Sequence, residues 1–351
     1  MKTKKTSTFL MILLSCALAG GVEPSTEKIQ RTNWFQKAGW GVFVHYLSDV
    51  VAQGEKTSPE EWNRIVGAMD VKGLANQLAS VGAGYCVITL GQNSGHYCSP
   101  NAAYDKIVGI APSKCSTRDL VGDLSDAIKP KGIRLMAYLP AGAPDRDPAA
   151  MKALEWRNGR YPLWQYPNGG PDGGDLRLEN FQRKWESIIS EWSLRWKDKV
   201  SGWWFDGCYF PVAMYQHPDP PNFASFAAAA RAGNPNSIVA FNPGVRYPIV
   251  SLTPEEDYTA GEANEPDKVK CQGRWAEGAQ FQMLCYLGEN WGHGSPRFTN
   301  EQIINWTRDI LSHQGVVTWE VPIQASGLIP QPFIDQLSAI HAALKKNENN
   351  R

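Results

Sequence analysis

From Trp40 onward, short apolar runs alternate with longer stretches in which apolar residues recur every three or four positions. The apolar runs cover residues 41–45, 85–90, 134–139, 202–205, 238–242, 257–261, 281–287 and 316–321. Most are rich in β-branched and aromatic residues without strict alternation, the pattern of parallel strands buried on both faces. The run at 257–261 is the weakest. Between them the spacing predicts helices over 71–81, 120–131, 180–196, 222–232, 300–312 and 331–344. Ser116-Thr117-Arg118-Asp119 supplies an N-terminal cap for the second of these, and Pro130 and Gly132 stop it. Phe181, Trp185, Ile188, Ile189, Trp192 and Trp196 fall on one stripe of the third. Eight strand candidates alternating with helices predict an α/β fold of one domain, a TIM-like (β/α)₈ barrel over residues 34–346. No Gly-rich phosphate loop follows any strand, which argues against a dinucleotide fold. Residues 140–174, rich in Pro, Gly and Asp, read as a long loop on the face that carries the chemistry of such barrels.

The N-terminus has a different character. Lys2, Lys4 and Lys5 precede a short apolar stretch at 9–14, too short to span a bilayer. This is an export signal with two possible ends. Ala17-Leu18-Ala19 suits cleavage after residue 19, and Leu13-Leu14-Ser15-Cys16 resembles a lipobox in which an acylated Cys16 tethers the chain to a membrane. Residues 20–33 read as a lead-in, flexible over its polar part 23–30. The expected location is therefore outside the cytoplasm: periplasmic, secreted, or at the outer surface as a lipoprotein. Export permits disulfides. However, no Cys-x-x-Cys pair or Cys/His cluster of zinc spacing occurs among Cys86, Cys98, Cys115, Cys208, Cys271 and Cys285. No metal is expected, and Cys86 and Cys285 read as small buried hydrophobes.

Charge narrows the partners. Lys and Arg number 35, as do Asp and Glu, so the chain carries no net charge and no basic stripe for nucleic acid. The 14 Trp are more telling, because flat apolar faces edged by one donor stack on sugar rings. Core packing accounts for most of them, Trp185, Trp192 and Trp196 included.

In a barrel the chemistry sits where the strands end. The polar residues there are His45, Gln92 with Asn93, Tyr138, Asp206, Asn242, Glu262 and Glu320. Asp206 is the sharpest, since it follows Gly202-Trp203-Trp204-Phe205 directly, although Asp206-Gly207 is also a common turn pair. Glu262 could be an exposed loop acid among Glu255, Glu256 and Glu265, and Glu320 a buried ion pair with an arginine. Two carboxylates at one barrel mouth suit glycoside hydrolysis, in which one attacks the anomeric carbon and the other protonates the leaving oxygen.

Several of these segments resemble glycoside hydrolase family 29, the α-L-fucosidases. Lys37-Ala38-Gly39-Trp40-Gly41-Val42-Phe43-Val44-His45 is similar to the family's first strand, whose His contacts the sugar. Tyr85-Cys86-Val87-Ile88-Thr89 and Arg118-Asp119-Leu120-Val121-Gly122 are similar to its second strand and second helix. Trp203-Trp204-Phe205-Asp206-Gly207 resembles its fourth strand, where the Asp is the nucleophile. Asp257-Tyr258-Thr259-Ala260-Gly261-Glu262 resembles the segment of its acid/base, and Asn290-Trp291-Gly292 a further signature. The resemblance runs from about Trp34 to Ile329 and implies a retaining, exo-acting enzyme that removes a terminal fucose or related sugar from a glycan without a cofactor. Asp206 would be the nucleophile and Glu262 the acid/base. His45, Gln92, Asn93, His96, Tyr138, Trp204 and Trp291 would line the sugar site, with His96 equally a structural residue. The alternatives are a barrel glycosidase of other specificity that uses Glu320, or an inactive glycan-binding barrel.

The chain departs from the family at three strand ends. Gly91-Gln92-Asn93-Ser94-Gly95 replaces Lys-His-His-Asp-Gly, Asn242-Pro243-Gly244 replaces Asn-Asp-Arg, and Trp319-Glu320-Val321-Pro322 replaces Leu-Asn-Val-Gly-Pro. Amides still exchange hydrogen bonds with hydroxyls, but their reach differs from an imidazole's. Recognition of simple fucosides is therefore expected to be weak.

The export reading has a direct check. N-terminal mass analysis of the protein from its native host should find a chain starting at Cys16 or just after Ala19. A cytoplasmic form starting at Met1 would overturn it.

Overall fold

The computed structural model describes residues 23–156, 177–209 and 215–348. Both candidate signal endings and most of the loop at 140–174 lie outside them. Seven strands make one parallel sheet: β1 (Trp40–Val44), β2 (Tyr85–Thr89), β3 (Arg134–Pro140), β4 (Gly202–Asp206), β5 (Ile238–Phe241), β6 (Gln282–Tyr286) and β7 (Val316–Val321), in the order β5-β4-β3-β2-β1-β7-β6. Every strand expected from the apolar runs is present except the weakest. The helices expected from periodicity are present too, at Val71–Ser80, Leu120–Ile128, Glu179–Trp196, Phe223–Arg231, Asn300–Ser312 and Gln331–Glu348.

The weakest run behaves differently for a steric reason. Gly261 has φ +67°, and a Cβ there would sit 2.0 Å from the Gln282 carbonyl oxygen. That left-handed step breaks a regular ladder. The segment nevertheless bonds both edges of the sheet. Asp257 N donates to the Val239 carbonyl at 2.9 Å, Leu284 N donates to the Gly261 carbonyl at 2.8 Å, and Ala263 N donates to the Leu284 carbonyl at 2.8 Å.

Two apolar layers result. Phe43, Val87, Met136, Tyr138, Trp204, Tyr258 and Leu284 pack together on one face of the sheet. The helix stripe of Trp185, Trp192 and Trp196 packs on the other, all three rings buried, so these tryptophans are core as expected. The six cysteines in the described part are all buried and unpaired. Among the described residues no helix is long and apolar enough to cross a membrane.

The lead-in is a correction. Instead of a flexible stretch over 23–30, a helix runs over Thr26–Ala38, capped by Ser25. Its buried positions are Lys28, Thr32 and Phe35, the spacing of one helical face but with a single apolar member, so hydrophobic periodicity could not reveal it. Phe35 packs on Tyr85 and Tyr258 with ring centroids 4.9 Å away in each case. The loop expected over 140–174 also contains structure, a helix over Pro148–Leu154 capped by Asp147.

Asp257 joins these parts. Its side chain is fully buried and accepts from Arg31 of the first helix at 2.9 Å, from Arg231 at 2.6 Å and from Val239 N at 3.0 Å. Removing one partner of such a buried network typically costs about 3–5 kcal/mol. Asp257→Ala should lose stability on that scale in urea unfolding. A loss below about 1 kcal/mol would show that the clamp is dispensable.

Candidate active site

A cavity of about 420 Å³ opens at the C-terminal edge of the sheet. Phe43, Tyr138, Trp204 and Leu284, all at most 4 % exposed, close it below. Asp206 and Glu262 both line it.

Asp206 ends β4 and is densely bonded. Tyr138 Oη donates to its Oδ2 at 2.6 Å. Its Oδ1 accepts from Gly207 N at 2.8 Å, from Asn242 Nδ2 at 2.9 Å and from Tyr209 Oη at 3.4 Å. The turn reading of Asp206-Gly207 and the site reading thus both hold. Tyr138 in turn accepts from Gln92 Nε2 at 2.5 Å and stacks on Trp204, ring centroids 5.4 Å apart. Trp204 Nε1 is spent on the Ala260 carbonyl, so this ring offers the cavity only its apolar body.

Asn242 is the meeting point. It is fully buried at the end of β5, and its Oδ1 accepts from Gly244 N at 3.0 Å, which orients the amide. Nδ2 then donates to Asp206 Oδ1 at 2.9 Å and to Glu262 Oε2 at 2.6 Å. One nitrogen shared this closely keeps the two carboxylates' nearest oxygens within about 5.5 Å of each other. Burial lifts the Glu262 carboxyl above its ordinary range. The Asn242 hydrogen bond opposes the rise, the Asp206 charge adds to it, and His45 opposes it.

His45 and Trp291 complete the expected wall, ring centroids 5.7 Å apart. Two expected residues do not join it. Asn93 is not among the lining side chains, and its carbonyl accepts from Arg146 N. The loop after β2 turns through its bonds at Gln92 and Gly95, so only the first amide reaches the cavity. His96 is buried against Trp62, and burial pushes its imidazole down to about 4, a neutral structural ring. Glu320, the alternative acid, sits apart from the Asp206–Glu262 pair. It is fully buried, lies outside the lining, and pairs with His45 at 3.0 Å instead of an arginine. Among the described residues no group of three His, Cys, Asp or Glu side chains is placed to hold a metal.

The sequence reading did not assign Tyr209, Asp49, Arg146, Asn290 or His293, all of which line the cavity. Asn242 was visible as a polar strand end without a role. Tyr209 stands three residues past Asp206 and Asn290 adjoins Trp291, so proximity to a motif was their only signal. Asp49 comes from the short helix Ser48–Val51 and Arg146 from a loop, and their 2.9 Å ion pair had none.

Paired carboxylates at the carboxyl ends of parallel strands, one with its pKa raised by burial, are the equipment of a glycoside hydrolase. A family model described as Alpha-L-fucosidase matches residues 68–349, and the chain belongs to that family. Solved structures agree on the fold. The endo-fucoidan hydrolase MfFcnA4, of glycoside hydrolase family 107, superposes with a TM-score of 0.69 at 18% identity over 92% of this chain. This chain spans 55% of that protein's length. The alpha-L-fucosidase AlfC from Lactobacillus casei, in complex with alpha-L-fucose product, superposes with a TM-score of 0.61 at 16% identity, covering 92% of this chain and 100% of that one. No curated protein sequence matches significantly.

The raised Glu262 carboxyl sets a pH dependence. An acid must hold its proton to serve the leaving group, so kcat/KM should fall on the alkaline side as pH rises through that carboxyl's pKa. Glu262→Gln should lower the maximum and flatten this limb in a pH–rate profile. A limb that survives the substitution would belong to another group.

Proposed function

We propose that this glycoside hydrolase is an exo-acting, retaining enzyme of α-L-fucosidase type, working outside the cytoplasm on the terminal fucose or related sugar of a glycan. The observation that carries the reading is the sharing of Asn242 Nδ2 by Asp206 and Glu262. Asp206 attacks the anomeric carbon while Glu262 gives its proton to the departing oxygen, leaving a glycosyl ester on Asp206. Glu262, now ionised, takes a proton from water. The water oxygen attacks the anomeric carbon, and Asp206 leaves as a carboxylate. Tyr138, Asn242 and Gly207 N stabilise that charge when it returns. A cavity floored by apolar rings suits one terminal sugar, with His45, Gln92 and Trp291 beside it. The architecture that serves this chemistry is a complete (β/α)₈ barrel, with segment 257–263 as its sixth strand. The hydrogen bonds from that segment to β5 and β6 support this. A lipid on Cys16 would hold the enzyme at a membrane surface.

With 4-nitrophenyl α-L-fucoside, kcat/KM is expected below about 10⁴ M⁻¹s⁻¹, because the amide of Gln92 stands where the family has imidazole. Asp206→Asn should lower kcat by several orders of magnitude. Glu262→Ala should spare this good leaving group, and azide should restore its rate by attacking the glycosyl ester on Asp206, with an α-linked azide product absent from the wild type. Turnover unchanged in Asp206→Asn would remove it as the nucleophile, and ligand binding without any wild-type turnover would make the protein a glycan-binding barrel.

A further inference from the structure

β7 ends in a carboxylate that hydrolysis does not use. Glu320 is fully buried, its Oε2 has no partner, and among the described residues its one ion-pair partner is His45. Burying a carboxylate with so little compensation costs stability, so packing gives no reason to keep it there.

Its two contacts reach the elements on either side of its strand. Oε1 takes His45 Nδ1 at 3.0 Å, at the end of β1. It also accepts Gly292 N at 2.9 Å, in the turn after β6. That turn lies close over the imidazole. Gly292 has φ +72°, and a Cβ there would stand 3.4 Å from His45 Cβ and 3.2 Å from a Val50 methyl. The neighbouring Trp291 lies with its ring centroid 5.7 Å from His45 and 4.8 Å from Tyr286.

An ionised carboxylate only accepts, so the proton of this pair belongs on Nδ1. The hydrogen bond at one ring nitrogen sets what the other can do. Nε2 of His45 has no hydrogen bond from the described residues, and the ring lines the cavity.

We propose that Glu320 is a positioning residue for sugar binding: it holds His45 in the Nδ1–H form with Nε2 turned to a substrate hydroxyl, and through Gly292 it fixes the Trp291 turn beside that ring. This rests on the cavity being the sugar site. It also gives a reason for Glu320 at a strand end where the related pattern has a neutral residue.

The test has two readouts. The first is ¹⁵N spectroscopy of the imidazoles, with His45 identified by its loss in His45→Asn. The wild type should show a protonated Nδ1. Glu320→Gln, which keeps the acceptor oxygen, should preserve it, and Glu320→Ala should not. The second is calorimetric titration with a fucose-configured iminosugar. Glu320→Ala should weaken binding roughly 10- to 100-fold, as loss of an outer partner of a functional histidine does elsewhere, while Glu320→Gln stays within about threefold. Glu320→Asp keeps the charge but withdraws the oxygen, so it should behave as Glu320→Ala and replaces it if that variant does not fold. A purely structural Glu320 would lower the melting temperature of folded variants without moving either readout. A wild-type His45 protonated on Nε2 alone, or unchanged affinity in folded Glu320→Ala and Glu320→Asp, overturns the proposal. If the wild type does not bind the iminosugar, the fucose reading fails, and the ¹⁵N spectra still decide the role of Glu320.

Discussion

The geometry at the mouth of this sheet depends on a carboxylate well away from it. Asp257 is buried between Arg31 and Arg231 and accepts Val239 N, so one end of segment 257–263 is clamped to the edge strand β5. The other end is stitched to β6 through Leu284. Between those anchors the chain has no freedom to slide, and Glu262 arrives beside Asn242. An ion pair would be a poor stabiliser if it merely replaced an apolar contact. Here it ties together three elements far apart in sequence, and the placement of an acid follows from it.

Asn242 then turns proximity into a division of labour. A carboxylate bonded by Tyr138, Gly207 N and Asn242 is suited to carrying charge. Burial raises the Glu262 carboxyl, its one donor opposes the rise, and the charge of Asp206 adds to it. Two acids of similar chemistry thereby sit in different surroundings, one held by several donors and the other by a single amide. The amide manages this only because Gly244 N fixes which end of it faces the two carboxylates.

Around that pair, the wall mixes inherited and altered parts. His45, Tyr138 and Trp204 occupy positions that the fucosidase resemblance assigns to the sugar site. After β2, a single amide, Gln92, takes the place of paired imidazoles, and it bonds Tyr138 before any substrate arrives. His96, the remaining imidazole of that loop, is withdrawn into the protein against Trp62. The changes fall on the loop after β2, and the carboxylate pair stands apart from them.

Much of this was legible in the linear order of residues. Buried parallel strands are continuous apolar runs, so seven strands could be read along the chain, and a strand's end is where its polar residue meets solvent, so Asp206, Glu262, His45 and Tyr138 could be picked out. The stripe at 181–196 announced a core helix by its period alone. What the chain could not announce were features made by contacts between distant segments. The helix at Thr26–Ala38 shows one apolar residue on its buried face, because its docking relies on Lys28, Arg31 and Thr32 finding partners elsewhere. Asn93 and His96 sit in the right loop, but the direction of each side chain is set by how that loop folds back. Glu320 could be read from the sequence either as an alternative acid or as a buried ion pair with an arginine. Only packing showed that it faces His45 and Gly292, because register along a strand locates a residue, whereas the neighbours across the sheet decide what it touches.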